Sequence, residues 1–362
     1  MVLVPTPTLA DVADAVGVSR TTVSNAYNRP DQLSAGLRDR ILAAAARLGY
    51  PGPDPVARGL RRGRTGMFGL VYDQPLSYLF SDPAILQFMG GLARVWDDAG
   101  VSLALLPSLH PDDAGTAVLA TAAVDGFVSI CDVADDARVA ALVARRLPFV
   151  TVDAGESSGR CRVGIDDRGA SAEATRHVLE LGHRRLAVVA LPRGGEGGGD
   201  GFDVTAPRVG DGPVPFTVAG ARLRGVRDAV EVAGLGWSTV PVVAVPLLKP
   251  PRAIGRRVGG LLLDRADRPT GIVAMSDELA AGVLDAAAER GVEVPGQLSV
   301  VGFDDTPTAT AVRPTLTTVH QPMGEKGEVA GRLLLEAAPP TVARLPTELR
   351  VRASTGPAPR GG

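Results

Sequence analysis

The sequence predicts an α/β chain in which a small three-helix head, built as a helix-turn-helix, precedes a larger two-lobed body with parallel sheets. Three observations predict it. Apolar residues recur at helical spacing, punctuated by turn signals, through about the first fifty residues. Beyond them, short apolar runs alternate with amphipathic helical segments, and the alternation is traversed twice. Charge divides at the same place: nine Arg stand against five Asp from Met1 to Thr65, a net +4, which leaves −6 for the rest of a chain whose total is −2. With 362 residues, 45% of them apolar and 22% charged, the composition is that of a globular protein of two or three domains. The expected division is a head at 1–53, a hinge at 54–65 and a body at 66–362.

In the head, Thr8 and Asp11 form a helix-start signal ahead of Leu9, Val12, Ala13 and Val16, which share one helical face. Gly17 supplies the positive φ of a tight corner, and Val18 plugs the angle between the helices. Ser19 can cap a second helix, Arg20 to Asn28, whose inward positions are Val23 and Ala26. Its outward face carries Ser19, Arg20, Thr21, Thr22, Ser24, Asn25 and Asn28, hydrogen-bonding groups with the reach for base edges and phosphates. Arg20, Thr21 and Asn25 are expected to read bases, because the N-terminal part of such a helix enters the major groove. Ser19, Thr22, Ser24 and Asn28 are expected on phosphates. A third helix is expected after Ser34, with Leu37, Ile41, Leu42, Ala45 and Leu48 as its buried stripe and Gly49 as its stop. A basic head on an acidic body suits a polyanion held by one end of the molecule, here double-stranded DNA.

The hinge opens with the breaker cluster Pro51-Gly52-Pro53. Asp54-Pro55 then reads as a cap followed by proline at the first helical position. The helix it starts, Val56 to Arg62, is about two turns long, and a helix that short is unstable alone in water. It is expected to fold on DNA.

In the body, Met67–Tyr72, Val101–Leu106, Gly126–Ile130, Phe149–Val152 and Leu186–Leu191 read as strands, with helices at Ile85–Ala99, Val139–Arg146 and Ala170–Leu181. The pattern returns in strands Val242–Val245, Gly271–Ala274 and Leu298–Phe303 and helices Val218–Ala233, Glu278–Arg290 and Glu325–Ala337. Two parallel sheets side by side leave a cleft at the carboxyl ends of their strands, where ligands bind.

Residues 8–62 resemble the DNA-binding head and hinge of the lactose/galactose repressor (LacI/GalR) family. The run from Thr8 through Asp11-Val12-Ala13, Gly17-Val18-Ser19, Thr22-Val23-Ser24 and Asn28 follows the family pattern, as do Arg38, Ile41, Leu48-Gly49-Tyr50 and the hinge residues Pro55, Ala57, Arg58 and Leu60. Val16 departs from it, standing where the family usually has Ala. The resemblance implies that Leu60 wedges into the minor groove beside Ala57 and Arg58 and kinks the operator. Gly59, where the family commonly has Ser, weakens the hinge helix by about 1 kcal/mol. The body is similar to the periplasmic sugar-binding fold of the same family through Asp125-Gly126-Phe127, Leu181-Gly182-His183, Met275-Ser276-Asp277-Glu278, Gly302-Phe303-Asp304-Asp305 and Gln321-Pro322. The resemblance places Arg222 and Asp304 in the cleft as the pair that holds an effector, with Asp73, Asp153 and Ser276 at other cleft positions. It also implies a sugar-like or related small polar effector. His183 falls in a structural turn and is expected to pack. Arg193 to Pro215, rich in Gly, is an insertion relative to the family.

No nucleophile elbow, phosphate loop, metal spacing or paired catalytic carboxylate motif is present, so no enzyme activity and no cofactor are expected. Asp304-Asp305 and Asp166-Asp167 are adjacent pairs, and neighbours on a strand point to opposite faces. Cys131 and Cys161 read as reduced thiols. The N-terminus lacks a signal pattern and no run spans a membrane, which together predict a cytoplasmic protein. The absence of a leucine-heptad tail after Arg352 predicts a homodimer on a near-palindromic operator. Two alternatives stand beside this reading: gating by a protein co-regulator, and a solute-binding protein that does not bind DNA, against which the basic head argues.

Overall fold

A computed structural model describes residues 7–52, 64–72, 76–107, 114–130, 137–154, 161–191, 218–245 and 251–359. The chain forms two compact units, Met1–Gly66 and Met67–Gly362. The hinge residues Ala57, Arg58 and Leu60, Asp73, Cys131 and the whole Gly-rich insertion lie outside the described residues.

Among the described residues, the first unit has three α-helices and a 3-10 turn, Pro30–Gln32. In α1 (Leu9–Val16), Thr8 and Asp11 form a reciprocal capping box, which satisfies the first amides of a helix of only eight residues. Gly17 ends it at φ 73°, the left-handed corner that a side chain would strain. Ser19 caps α2 (Arg20–Asn28), and Gly49 at φ 71° ends α3 (Ala35–Leu48). Val12, Ala13, Val23, Ala26, Ile41, Ala44 and Ala45 form the core. Two details of α3 correct the sequence reading. Ser34 occupies the cap position without a side-chain bond. Leu48, the last residue of the helix, is exposed, and Ala44, one turn earlier, is buried.

The second unit holds two six-stranded sheets. The strands of lobe 1 are β1 (Met67–Tyr72), β2 (Ser102–Pro107), β3 (Phe127–Ile130), β4 (Phe149–Val152), β5 (Cys161–Gly164) and β11 (Val342–Arg344), in the order β11-β5-β4-β3-β1-β2 and all parallel. Lobe 2 has β6 (Leu186–Ala190), β7 (Val242–Ala244), β8 (Gly271–Ala274), β9 (Ser299–Asp304), β10 (Thr317–His320) and β12 (Glu348–Arg350), in the order β12-β10-β9-β8-β6-β7. Among the described residues, only the β10–β12 pair is antiparallel. Central strands such as Leu186–Ala190 are buried along their whole length, as continuous apolar runs in doubly covered parallel sheets should be.

The helices, in chain order, are α4 (Leu76–Leu79), α5 (Pro83–Asp98), α6 (Ala114–Thr121), α7 (Ala137–Ala144), α8 (Asp167–Glu180), α9 (Val218–Val232), α10 (Pro251–Leu263), α11 (Asp277–Glu289), α12 (Pro307–Ala311) and α13 (Met323–Leu335). The described residues cross between lobes three times. The chain leaves β5 for α8, which packs on α9 in lobe 2; it leaves β10 for α13, which packs on α5 in lobe 1; and it passes from β11 back to β12. Small residues set the closest contacts: a Cβ on Gly91 of α5 would lie 1.9 Å from the Gly324 carbonyl oxygen, and one on Gly225 of α9 would lie 2.1 Å from that of Arg168. The sequence reading lacked β5, β10, β11, β12, α4, α6, α10 and α12. The short strands interleave charge with apolar residues, as in Cys161-Arg162-Val163, and α10 carries Gly255, Gly259 and Gly260 inside a helix.

Candidate functional site

The polar face of α2 is held ready by its own hydrogen bonds. Ser19 Oγ accepts from the Thr22 amide at 3.0 Å and pairs with Thr22 Oγ1 at 2.8 Å. Asn28 Nδ2 donates to the Ser24 carbonyl at 3.0 Å and to Ser24 Oγ at 3.2 Å, so these two side chains brace the end of the helix. Asn25 Nδ2 reaches Gln32 Oε1 at 3.4 Å, tying α2 to the following turn. Arg20 and Thr21 are exposed at the N-terminal end. The helix therefore presents an uncommitted cation and hydroxyl at its tip, with amide and hydroxyl groups of fixed orientation behind them.

In the body, the strand ends and crossings bring a set of charges together out of water. Arg222 on α9 is 4% exposed. Its Nε donates to Asp167 Oδ1 at 2.9 Å and its Nη1 to the Met275 carbonyl at 2.6 Å, with Asp304 Oδ1 at 3.6 Å. The guanidinium lies 3.5 Å from the centre of the Phe303 ring, a desolvated cation–π contact. Asp304, at the carboxyl end of β9, accepts from Gln321 Nε2 at 2.5 Å. Gln321 Oε1 in turn accepts from Lys326 Nζ at 2.6 Å, and the same ammonium donates to both oxygens of Asp153 at 2.6 and 2.9 Å. The network thus runs Asp167–Arg222–Asp304–Gln321–Lys326–Asp153.

Burial sets the electrostatics. It pushes the Asp304 carboxyl well above the ordinary carboxylate range, against the opposing pull of Arg222. Asp167 is raised for the same reason, with Arg222 again opposing. Burial alone would weaken the charge on Arg222, but Asp167 and Asp304 more than offset it and hold the guanidinium protonated. Three acidic side chains, Asp153, Asp167 and Asp304, share two cations here, Arg222 and Lys326.

Of the sequence-expected cleft residues, Arg222, Asp304 and Asp153 belong to this network. Ser276 stands next to it, capping α11 by accepting from the Leu279 amide at 3.3 Å while its neighbour Met275 offers a carbonyl to Arg222. Asp305 turns away from Asp304 to His320, Arg350 and Arg352. His183 packs, bonded to Thr270 Oγ1 and the Gly356 carbonyl, each at 3.0 Å. Cys161 is a buried free thiol. Sequence reasoning missed Asp167, Gln321 and Lys326. One signal was available for the last: of 38 cationic residues only Lys249 and Lys326 are lysines.

A family model described as bacterial regulatory proteins, lacI family, matches residues 8–52, and a periplasmic binding protein-like domain matches residues 175–355. An HTH-type transcriptional regulator of Mycobacterium tuberculosis is 42% identical over 363 residues, 98% of this chain and 99% of that protein. The chain belongs to the lacI family of bacterial regulatory proteins. The HTH-type transcriptional regulator IpsA of Corynebacterium glutamicum is 37% identical over 91% of this chain and 90% of its own length. A crystal structure of a lacI-family regulator from Corynebacterium glutamicum superposes with a TM-score of 0.70 at 31% identity, covering 96% of this chain and 98% of that one. A complex of the regulator CelR with cellobiose superposes with a TM-score of 0.65 at 27% identity, covering 96% and 99%. This lacI-family chain is a DNA-binding transcription regulator with a helix-turn-helix head and a periplasmic-binding-protein-like body. No helix among the described residues is long and apolar enough to cross a membrane.

Proposed function

We propose that this regulator acts in the cytoplasm, without enzyme activity, as a repressor: a homodimer binds a near-palindromic operator, and a small polar effector in the interlobe cleft changes its affinity. The observation that carries the reading is the buried network at the strand ends, where Arg222 and Asp304 stand 3.6 Å apart with unequal numbers of carboxylates and cations around them. A donor-rich, sugar-sized molecule fits that chemistry, and the cellobiose held by CelR supports the class. Arg20, Thr21 and Asn25 read base edges; Ser19, Thr22, Ser24 and Asn28 position the backbone; Leu60, with Ala57 and Arg58, enters the minor groove. Asp73, Asp153 and Ser276 complete the effector site. Effector binding shifts the balance between two lobe arrangements and so the spacing of the paired hinges.

Two measurements test it. The purified chain is expected to bind duplex from its own upstream region in preference to random duplex at moderate salt; equal binding to both rejects the operator reading. A thermal-shift panel of sugars, sugar acids and nucleosides is expected to give at least one stabilising compound that also changes duplex affinity. A panel in which nothing shifts the protein, while a protein partner does alter duplex binding, replaces the small effector with a co-regulator.

A further inference from the structure

Lys326 is fully buried, so in this arrangement it offers nothing to a ligand directly. Its three ammonium donors are committed: two to the oxygens of Asp153 and one to Gln321 Oε1, all within 2.9 Å. In a chain that uses arginine almost everywhere, this position carries an amine. The geometry explains the choice. An ammonium is a compact charge with three donors, which this pocket matches one for one; a guanidinium is flat, larger and brings five donors.

The place of Lys326 in the fold matters as much as its bonds. It lies in the first turn of α13, just past the Gln321-Pro322 crossing from lobe 2 to lobe 1. α13 is tied rigidly to lobe 1, since a Cβ on Gly327 would lie 2.1 Å from the Phe88 carbonyl oxygen. Asp153 follows β4 of lobe 1, whereas Asp304 ends β9 of lobe 2. Both carboxylates sit on unfavourable backbone, at φ 55° and 109°. Such conformations are disfavoured for residues other than glycine and persist only where the surroundings hold them. Lys326 holds the first directly and the second through Gln321.

We propose that Lys326 is the positioning residue that couples the two lobes: it fixes Asp153 on one side and, through Gln321, Asp304 on the other, so that the cleft and the lobe orientation change together. A lobe movement that separated Lys326 from Gln321 would leave a buried donor unpaired, so the connection has discrete made and broken states and no cheap intermediates. Its consequence for effector gating rests on the cleft reading above; the coupling itself needs no effector.

The test uses the full chain with no ligand added. Spin labels are placed at exposed Val143 on α7 of lobe 1 and exposed Val232 on α9 of lobe 2, through V143C and V232C in a C131S background, and labelled subunits are diluted with unlabelled ones. The labelled parent is expected to give one narrow interlobe distance distribution. Lys326→Met broadens or displaces that distribution, and Lys326→Arg does not restore it. Asp153→Asn, which keeps the shape of the pocket and tolerates positive φ, acts in the same direction with a smaller amplitude and decides the matter if Lys326→Met does not fold. At equal folded fraction, duplex affinity for the upstream region also changes about fivefold or more in Lys326→Met. An interlobe distribution and duplex affinity unchanged in the folded variants overturn the proposal. Failure of the sugar panel on the parent protein would reject the effector reading and leave this result standing.

Discussion

The head buries seven side chains in its core, four of them alanine, and leaves the polar groups of α2 at or near the surface. The body takes Asp167, Arg222, Asp277, Asp304 and Lys326 out of water. In the head, the groups proposed to meet DNA and the groups that hold the fold are largely different residues, so recognition can be altered without unfolding. In the body the residues proposed to hold an effector are also buried in the fold, so a change at the candidate effector site is also a change in stability. A variant of the body therefore has to be read at equal folded fraction before any loss of response is assigned to ligand contact.

The largest expected effect follows from that overlap. Arg222→Ala leaves Asp167 and Asp304 buried without their cation, a loss of about 3–5 kcal/mol. The loss is smaller at low pH, where both carboxyls are neutral. Urea unfolding of the body and the sugar-induced thermal shift are both expected to suffer, while duplex binding by the folded fraction survives. Equal weakening of duplex and effector binding would remove Arg222 from the cleft.

The pH dependence is next. Burial pushes Asp277 up to about 7, against the bonds it accepts from Thr318 Oγ1 and from the Thr306 amide and hydroxyl. An acid with a folded value above its unfolded one favours folding while protonated. Its contribution is complete below about pH 4, the unfolded value, and is lost as pH rises through about 7, which amounts to a few kcal/mol at most. Body stability is thus expected to fall between pH 4 and 7, with Asp167 and Asp304 acting in the same direction. Asp277→Asn should flatten that slope. An unchanged urea-midpoint profile would place the slope elsewhere in the network. The head has no buried carboxylate among the described residues, and its own unfolding should lack this slope.

One type of substitution gives opposite signs in the two regions. Gly91→Ala drives a methyl into the Gly324 carbonyl and should destabilise the body by about 1–3 kcal/mol or more. Gly36 in α3 of the head has nothing within 4 Å of the added carbon, and Gly36→Ala should stabilise by roughly 0.5 kcal/mol. Thermal unfolding of the two variants checks both signs; a neutral Gly91→Ala would mean that α5 and α13 can separate freely.

The same contrast decided what could be read from the sequence. α2 was legible because its cap, Ser19, and its inward positions, Val23 and Ala26, are local signals within about ten residues. The central strands were legible as apolar runs. The polar network was not, because its bonds join residues 153 to 326 and 167 to 222, and nothing in local spacing distinguishes Asp167 from an ordinary helix-start acid or Lys326 from a solvated charge on an amphipathic helix. Arg222 and Asp304 were found only through family resemblance. Residue economy was the remaining signal: Lys326 is one of two lysines among 38 cationic residues.

The smallest effect compares one chemical group in both regions. Ser19 caps α2 by accepting from the Thr22 amide at 3.0 Å, and Ser276 caps α11 by accepting from the Leu279 amide at 3.3 Å. Replacing either with Ala costs about 1 kcal/mol locally. The settings differ. α2 has nine residues and two buried apolar side chains, Val23 and Ala26, so its cap is a large part of what holds it. α11 has thirteen residues, with nine of them buried in the lobe, and tertiary packing holds it whether or not the cap is made. Amide hydrogen exchange separates the two cases. Ser19→Ala should speed exchange through the first turn of α2 about fivefold and weaken duplex binding, because Arg20 and Thr21 lose the fixed backbone that aims them. Ser276→Ala should accelerate exchange only at Leu279 and its immediate neighbours. Equal, confined effects in both helices would mean that the head is as firmly held by its core as the body is, and the contrast between the two regions would then rest on buried charge alone.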